Sequence, residues 1–489
     1  MFGRAVILIF LLTHFVGANG NECIKGCVLP GDDWPNKTTV ESNLLPKVRF
    51  LGESESGSPV SERIDLLKVP AISFALIEEG RVKWTSGYGT KIAEEDDPAT
   101  CETLFQSASL SKPITLMAAM RMHEAGLIDL DVDIQKYLRR YTLPTGEQSA
   151  ANPITFRNLL EHTSGLTPGG FTGYHRDVAL PTDIDILNGT GVSNSARLES
   201  LKQPGVELAY SGGGYTVAEV AMQDVAGKPF DELMSEWILG PLDMQRSEFT
   251  HPLPASRTAD VAHGHDAKGN TIDGGWHNYP EQAAAGLWST AGDLAKFMVE
   301  IFKAYHGQSD VFDKDAIRNL LHDQRHGHAY GFIVSGNEGE APTITHYGGN
   351  VGYRSFMSIN LQTGDGAVYL TNSDGGGNLG SEFLHSASRV YGWQSYQQVE
   401  AVRALMSEEA LKRLVGEYAF NENLEVTIDY SDSEKAIGVS FPNGDRYSLV
   451  PIAGDYQFIH AGSGVTVSFA IDADTQSLTM YGDTATRVD

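Results

Sequence analysis

The chain of 489 residues has few cysteines, few basic side chains and few long apolar runs. Three cysteines are too few for a disulfide framework, and no Cys/His spacing indicates a structural zinc site. The 36 basic residues stand against 63 acidic ones, and the net charge of −27 argues against nucleic acid or an anionic membrane as partner. With 41% apolar residues, the chain has ample core for a globular protein of two or three domains.

The first twenty residues are typical of a signal peptide. Arg4 precedes an apolar segment at 5–15, and small residues suitable for cleavage follow. No later apolar run is long enough to span a membrane, so we expect an exported protein, periplasmic or secreted, without stable membrane insertion after cleavage. An uncleaved anchor is the alternative. Cys23 and Cys27 could pair with each other, or one of them could pair with Cys101.

One stretch in the first third of the chain combines a helix start with a nucleophile and a base. Pro113 is favoured in the first turn of a helix, the following residues are apolar almost all round, and Gly126 supplies a stop. This predicts Ser109 at or beside the helix N-terminus, with Lys112 one turn along on the same side. A lysine in a dry pocket can take the serine proton, and the helix N-terminus favours an oxyanion. The alternative is a capping serine beside an unrelated lysine.

Composition and strand patterns predict five segments. They are a signal peptide at 1–20, an extension at 21–60, a main domain at 61–395, a linker helix at 396–415 and a small β domain at 416–489, a barrel or sandwich. In the main domain we expect a β-hairpin at 69–89, helices at 215–226, 230–238 and 289–302, and strands after 328. Ser289 or Thr290 would cap the last of these helices. A further helix over 154–166 would have Thr155 as its N-cap and Gly165 as its stop.

Two later stretches could complete a site with the serine. Tyr210-Ser-Gly212 lies on a glycine-rich loop that leads into a helix, and His346-Tyr-Gly348 lies in the strand-rich region. Together with Ser109-Leu-Ser-Lys112, these motifs resemble in order and spacing the serine β-lactamase and penicillin-binding-protein-like hydrolases. The similarity is to the branch of class C β-lactamases, D-alanyl-D-alanine carboxypeptidases, D-aminopeptidases and related esterases, and it covers roughly residues 60–395.

The resemblance implies an α+β fold of the β-lactamase/transpeptidase type. A five-stranded antiparallel sheet would be flanked by helices, with an all-helical subdomain beside it, and a small barrel or lipocalin-like domain would follow. It implies Ser109 as the acyl-forming nucleophile, with Lys112 and Tyr210 sharing acid and base duty. The backbone N–H groups of Ser109 and Gly349 would form the oxyanion hole, and no metal or organic cofactor is implied.

Two departures from the family pattern bear on the substrate, which contacts His346, Gly348 and Gly212 in this interpretation. Gly212 replaces an asparagine that holds a substrate amide. His346 replaces the lysine of class C β-lactamases, and a neutral imidazole holds a carboxylate more weakly than an ammonium group. Both changes argue against efficient β-lactamase activity. They favour a hydrolase of carboxylic esters or of D-amino-acid-type peptides and amides, including cell-wall fragments.

Three rival interpretations remain. Ser211 resembles the nucleophile elbow of α/β-hydrolases, with His346 and Asp323 as partners, but its preceding residues make a poor strand. A metal could bind His263, His265 and Asp266, or else His322, His326 and His328; we interpret both groups as loop or surface histidines. A non-catalytic receptor for peptidoglycan fragments or a protein partner would predict loss of the nucleophile or its bases, which are all present.

Overall fold

A computed structural model describes residues 27–28, 31–54, 57–322, 328–329, 331–336, 341–421, 424–442, 444–472 and 475–489. The predicted signal peptide, Cys23, Asp323 and His326 lie outside these residues. The α-helices are Trp34–Ser42, Val60–Leu67, Ser111–Glu124, Phe156–Leu160, Asp183–Asn188, Gly212–Ala226, Phe230–Met234, Gln282–Ala285, Ala291–Tyr305, Lys314–His322, Gly376–Tyr391 and Glu408–Lys412.

The main sheet is antiparallel and mixes near and distant parts of the chain. Its strands run in the spatial order Arg81–Gly89, Ala71–Glu78, Gly366–Thr371, Tyr353–Asn360, Thr343–Asn350, Phe332–Ser335 and His328–Ala329. The hairpin predicted at 69–89 is confirmed. The expected five strands are extended by two short ones at the edge, so the count of five is wrong for this sheet. Short edge strands limit pairing with other chains.

Helices cover both faces of the sheet because its central strands are apolar on both sides. Phe74 and Leu76 pack into one hydrophobic cluster, whereas Ala75 and Ile77 pack into another, as the two-residue period of a strand requires. Helix Gly376–Tyr391 covers the first face. Helix Ala291–Tyr305 covers the second, together with the largely helical region of residues 108–285. This arrangement confirms the predicted α+β fold.

The helix at the centre of the predicted site is buried almost all round. Helix Ser111–Glu124 ends one residue before Ala125, and the N–H groups of Gly126 and Leu127 bond back into its last turn. The predicted cap of Ala291–Tyr305 is confirmed, since Thr290 accepts from the N–H of Asp293. The prediction of a helix over 154–166 is wrong at its C-terminal end, because the observed helix is shorter.

That shorter helix is Phe156–Leu160, and Thr155 caps it as predicted. It ends early because His162 takes a left-handed conformation, with φ of +59°. The chain therefore turns three residues before Gly165. Helix Phe230–Met234 is followed by a wider π turn at Ser235–Leu239, so the predicted helix at 230–238 changes type within its length.

The linker helix predicted at 396–415 is wrong over most of its length. Val399–Ala401 is a strand that pairs in parallel with Val48–Phe50, and only Glu408–Lys412 is helical. The distant partner strand decides the conformation here, because pairing with it satisfies backbone groups that local propensity would place in a helix. Arg49 and Glu400 add an ion pair between the two strands, with N and O 2.9 Å apart.

The C-terminal segment forms a closed antiparallel barrel rather than a sandwich. Each strand pairs with the next, and the last returns to the first. The strands are Gly416–Asn421, Leu424–Ser431, Ala436–Ser440, Arg446–Ile452, Gln457–Ile459, Thr466–Ile471, Gln476–Met480 and Asp483–Arg487. Alternating apolar side chains fill its interior. The remaining short strand pairs are Phe105–Gln106 with Trp288–Ser289 and Tyr174–His175 with His277–Asn278.

Cys27 and Cys101 form a disulfide, with their Cα atoms 5.7 Å apart. This decides among the pairings that the sequence left open. In the described part of the chain, no helix has both the length and the apolar composition that crossing a membrane requires.

Candidate active site

Ser109 lies in a tight turn directly before the buried helix. A 3₁₀ turn, Ala108–Leu110, leads into helix Ser111–Glu124, so the serine lies beside the helix N-terminus as predicted. Ala108 has φ of +50°, a conformation that costs free energy for a residue with a Cβ and is found at functional turns. The hydroxyl of Ser111 donates to the Ala108 carbonyl at 2.6 Å, which supports this turn.

Lys112 lies beneath the serine in a dry pocket and is 2% exposed. Its Nζ donates to Ser109 Oγ at 3.2 Å and to the Ala284 carbonyl at 2.7 Å. Among the described residues, no carboxylate lies within ion-pair distance of this amine. The contact between the amine and the hydroxyl places Lys112 where it can exchange a proton with Ser109.

Two buried carboxyl groups lie behind the lysine's carbonyl partner. Glu219 Oε2 accepts from the N–H of Ala283, at 2.8 Å, and the Glu281 carbonyl accepts from the N–H groups of Ala284 and Ala285. Burial raises the pKa of Glu281 to about 8 and raises that of Glu219 well above its usual range. With a pKa of about 8, the Glu281 carboxyl group is mostly protonated at about pH 7, and burial shifts the pKa of Glu219 in the same direction.

Tyr210 presents its ring, not its hydroxyl, to the lysine. Lys112 Nζ lies 4.8 Å from the centre of the Tyr210 ring. The ring packs on the ring of His162, with centroids 4.3 Å apart, and the side chain is 43% exposed. Within the described residues, the Tyr210 hydroxyl has no hydrogen-bond partner. The structure thus brings the Tyr210 ring beside Lys112, without a hydrogen bond from its hydroxyl to Ser109 Oγ or Lys112 Nζ.

Ser211 is a helix cap and not a second nucleophile. Its hydroxyl accepts from the N–H of Gly214 at 2.8 Å, its own N–H donates to His162 Nδ1 at 3.0 Å, and it is fully buried. The α/β-hydrolase interpretation is therefore wrong. Gly212 follows in the first turn of helix Gly212–Ala226. A Cβ there would lie 2.8 Å from the ring of Phe171, so that ring occupies the space of the missing side chain.

The strand Thr343–Asn350 borders the nucleophile turn through Gly348. A Cβ at Gly348 would lie 2.5 Å from the Ser107 carbonyl oxygen and 3.1 Å from the Ser109 nitrogen, so only glycine allows this approach. The hydroxyl of Ser355 also donates to the Ser107 carbonyl, at 2.7 Å. The backbone that carries Ser109 is thereby held against the strand.

Gly349 and His346 flank that contact on the same strand. Gly349 is exposed, and its open face meets only the side chain of Arg354. His346 is 6% exposed, with Nδ1 2.7 Å from the carbonyl oxygen of Tyr347. Gly348 brings the strand against the Ser109 nitrogen, and Gly349 continues this strand beyond the contact.

One histidine of the metal interpretation, His265, has other partners. His265 is fully buried, with Nδ1 near the Asn372 carbonyl and Nε2 accepting from the N–H of Ala93, so it is not a surface residue. Asp266 closes its own turn by accepting from the N–H groups of Lys268 and Asn270. In the part of the chain that the structure describes, no three candidate ligands group around a common point.

Sequence reasoning missed Glu219, Glu281 and His162 as neighbours of the site. The signal for Glu219 is a lone carboxylate in the apolar run of residues 217–222. A lone charge in such a run indicates a buried polar contact. His162 lies in the stretch 159–166, which already contributed to the family resemblance. Glu281 carries no comparable signal.

A sequence model described as Beta-lactamase matches residues 60–385. The match covers most of the chain, and the protein therefore belongs to the beta-lactamase family of serine hydrolases. It is 21% identical to "Penicillin-binding protein 4*" of Bacillus subtilis (strain 168) over 83% of this chain and 91% of that protein. It is 22% identical to "Protein flp" of Staphylococcus aureus (strain N315) over 68% of this chain and 66% of that protein, just under two thirds of its length.

Two solved structures share the fold. The octameric penicillin-binding protein homologue from Pyrococcus abyssi is 19% identical, with a TM-score of 0.56 over 88% of this chain and 98% of that chain. The D-amino acid amidase from Ochrobactrum anthropi SV3, complexed with L-phenylalanine amide, is 21% identical, with a TM-score of 0.55 over 73% and 99%. At these identities the likeness shows the fold alone.

Proposed function

We propose that the protein is a serine hydrolase that forms an acyl-enzyme on Ser109. The observation that carries this proposal is the contact between Ser109 Oγ and Lys112 Nζ, 3.2 Å apart, with the lysine buried and anchored to the Ala284 carbonyl. A surface lysine beside a capping serine would be exposed and mobile, whereas this one is held beneath the hydroxyl.

In the proposed reaction, Lys112 takes the Ser109 proton while the oxygen attacks the substrate carbonyl. The N–H groups of Ser109 and Gly349 stabilise the oxyanion, and the leaving alcohol or amine departs with a proton. We assign to Tyr210 the role of giving this proton to the leaving group. Its hydroxyl would reach the site when the exposed side chain rotates away from His162. Water then attacks the acyl carbon and gives a proton to the Tyr210 oxygen, which has lost its own to the leaving group. The bond to Ser109 breaks, and Lys112 returns the proton to Ser109 Oγ as the acid leaves.

The substrate that we propose is a carboxylic ester or a D-amino-acid-type peptide or amide. At position 212 the Phe171 ring takes the place of a side-chain amide, so a substrate amide loses one hydrogen-bond partner there. The buried His346 replaces an ammonium group, which weakens the hold on a carboxylate. Beside it, Tyr347 is 54% exposed and offers an aromatic surface to an apolar group. These features favour an uncharged ester over a penicillin.

We also propose that the protein is exported and needs no cofactor. The Cys27–Cys101 disulfide supports export, since such bonds persist in oxidising compartments. The charged n-region and apolar segment of residues 1–20 support it independently.

Intact-protein mass spectrometry tests the nucleophile directly. The purified protein would be treated separately with a fluorophosphonate, a penicillin and p-nitrophenyl butyrate, beside Ser109→Ala and Ser211→Ala. We expect an adduct that disappears only in Ser109→Ala, with fast turnover of the ester and slow or no turnover of the penicillin. Lys112→Met should fold, because it keeps an apolar stem in the pocket, and should form the adduct at least a hundredfold more slowly.

Two other outcomes would favour other functions. Fast acylation and release of the penicillin would favour a class C-type β-lactamase. The absence of any adduct on Ser109 with every reagent would refute the enzyme proposal. It would then favour a non-catalytic receptor for peptidoglycan fragments or a protein partner.

A further inference from the structure

The C-terminal barrel contains a cavity that the proposed reaction does not use. It has a volume of about 270 Å³ and lies at one end of the barrel. Its floor is apolar and almost fully buried, and consists of Val439, Leu449, Val467 and Met480. The cavity has room for several water molecules, but this floor offers them no hydrogen bonds, so an apolar occupant suits it better than water.

The strand register explains why these side chains meet. Val439 lies opposite Tyr447, and Val467 lies opposite Met480, on neighbouring antiparallel strands. Leu449 follows Tyr447 by two residues and therefore points to the same side of its strand. The cavity is thus a regular continuation of the barrel interior, in which the filling side chains stop short of the end.

Aromatic rings form the wall of the cavity. The ring of Tyr447 contacts those of Phe441 and His460, with centroids 5.7 Å and 4.9 Å apart. Tyr481 lies at the opening and is 74% exposed, and Asn378 of helix Gly376–Tyr391 lines the cavity from outside the barrel. Large exposed rings around an apolar hollow are costly in water, and they are typical of surfaces that bind a ligand.

His460 lines the cavity and offers it one hydrogen-bond donor. Its Nδ1 accepts from the backbone N–H of Ser463 at 3.1 Å, so Nδ1 carries no proton in the neutral ring. The proton is therefore on Nε2, for which the described residues supply no acceptor. Burial lowers the pKa of His460, which keeps the ring neutral at about pH 7. A neutral N–H donor pairs with a carbonyl oxygen rather than requiring a carboxylate.

We infer that this cavity is a binding site for a small molecule that has a short apolar chain and one carbonyl oxygen. The chain would lie on the apolar floor between the rings, and the carbonyl oxygen would accept from His460 Nε2. The site lies apart from Ser109, and the inference does not depend on the proposed reaction.

Methyl NMR of the full chain in the Ser109→Ala background tests this site without turnover. With methionine methyl groups labelled, the Met480 signal is assigned by its loss in Met480→Leu. We expect millimolar hexanamide to shift the Met480 signal in a saturable way, and to leave the signal of Met406, which packs on the barrel core outside the cavity, in place. Methyl pentyl sulfide, a neutral molecule of similar length with no carbonyl oxygen, should bind about tenfold more weakly.

Variants separate the site from a general effect on the barrel. His460→Ala should weaken hexanamide binding about threefold to tenfold and leave the binding of methyl pentyl sulfide unchanged, and Tyr481→Ala should weaken both. Leu424→Ala is the matched control, because it removes an exposed apolar side chain of the barrel that does not line the cavity. A Met480 signal that hexanamide does not shift would overturn the inference. So would a parent protein that binds both probes equally well, or a His460→Ala variant that binds both as tightly as the parent does.

Discussion

Two neighbouring glycines allow a sharp test of how the strand Thr343–Asn350 holds the nucleophile. Gly348→Ala would place a Cβ 2.5 Å from the Ser107 carbonyl oxygen and 2.2 Å from Ser355 Oγ. The first of these neighbours is backbone and cannot rotate away. Gly349→Ala would place its Cβ no closer than 3.4 Å to the flexible side chain of Arg354, which is ordinary contact.

The expected loss of acylation rate follows from how far the clashing atoms must move apart. To relieve the clash at Gly348→Ala, the strand and the Ser107–Ser109 turn must separate by roughly 1 Å. A displacement of this size at reacting atoms costs about a hundredfold in rate, or about 2.7 kcal/mol in the activation free energy. The overpacked contact should also lower the free energy of unfolding by about 1–3 kcal/mol. Gly349→Ala should change both quantities little, since it keeps the backbone N–H.

The assay compares the rate of acylation by p-nitrophenyl butyrate with the free energy of unfolding in urea for both variants. We expect slow acylation only in Gly348→Ala, with a folded protein under assay conditions. Acylation at the parent rate in Gly348→Ala, or an equal loss in both variants, would refute the reasoning that this glycine sets the position of Ser109.

Three further predictions concern stability. Ser211→Ala should lower the free energy of unfolding by about 1 kcal/mol through loss of the helix cap and still form the Ser109 adduct; loss of the adduct would contradict the cap assignment. The Glu281 carboxyl group has a pKa of about 8 in the folded protein, against 4.5 in the unfolded chain. Its contribution to the free energy of unfolding is therefore fully present at low pH and is lost as the pH rises towards 8. Between about pH 5.5 and 7.5 the parent should therefore lose about 2.7 kcal/mol more stability than Glu281→Gln, and parallel urea curves would count against this. Replacing Cys27 and Cys101 by serine should cost about 3–4 kcal/mol under oxidising conditions, because the bond closes a long loop; an unchanged urea midpoint would refute this.

The elements that were predicted correctly depend on residues close together in sequence. Pro113 and Gly126 mark the two ends of the buried helix, and Thr290 caps the helix that follows it. The hairpin at 71–89 has two apolar runs around a glycine turn, and the strands of the barrel have the two-residue period of half-buried strands. Such signals act over a few residues, so they can be read without knowing the packing.

The errors occur where a distant segment decides the conformation. Val399–Ala401 was predicted to be helical, but it pairs with a strand about 350 residues earlier in the chain. The helix Phe156–Leu160 stops just before His162, which has a left-handed backbone conformation and whose ring packs on Tyr210. Local propensity is a weak preference, and tertiary contacts override it.

The candidate site shows the same division. The motifs by themselves determined which groups could react: Ser109 beside a helix start, Lys112 one turn later, and the residues Tyr210 and Gly349 that the family resemblance adds. Only the tertiary structure decided that the lysine is anchored to Ala284, that buried Glu219 lies behind that anchor, and that Phe171 fills the space beside Gly212. These contacts join segments far apart in the chain, and their geometry depends on how the sheet and helices pack, which no short stretch of sequence contains.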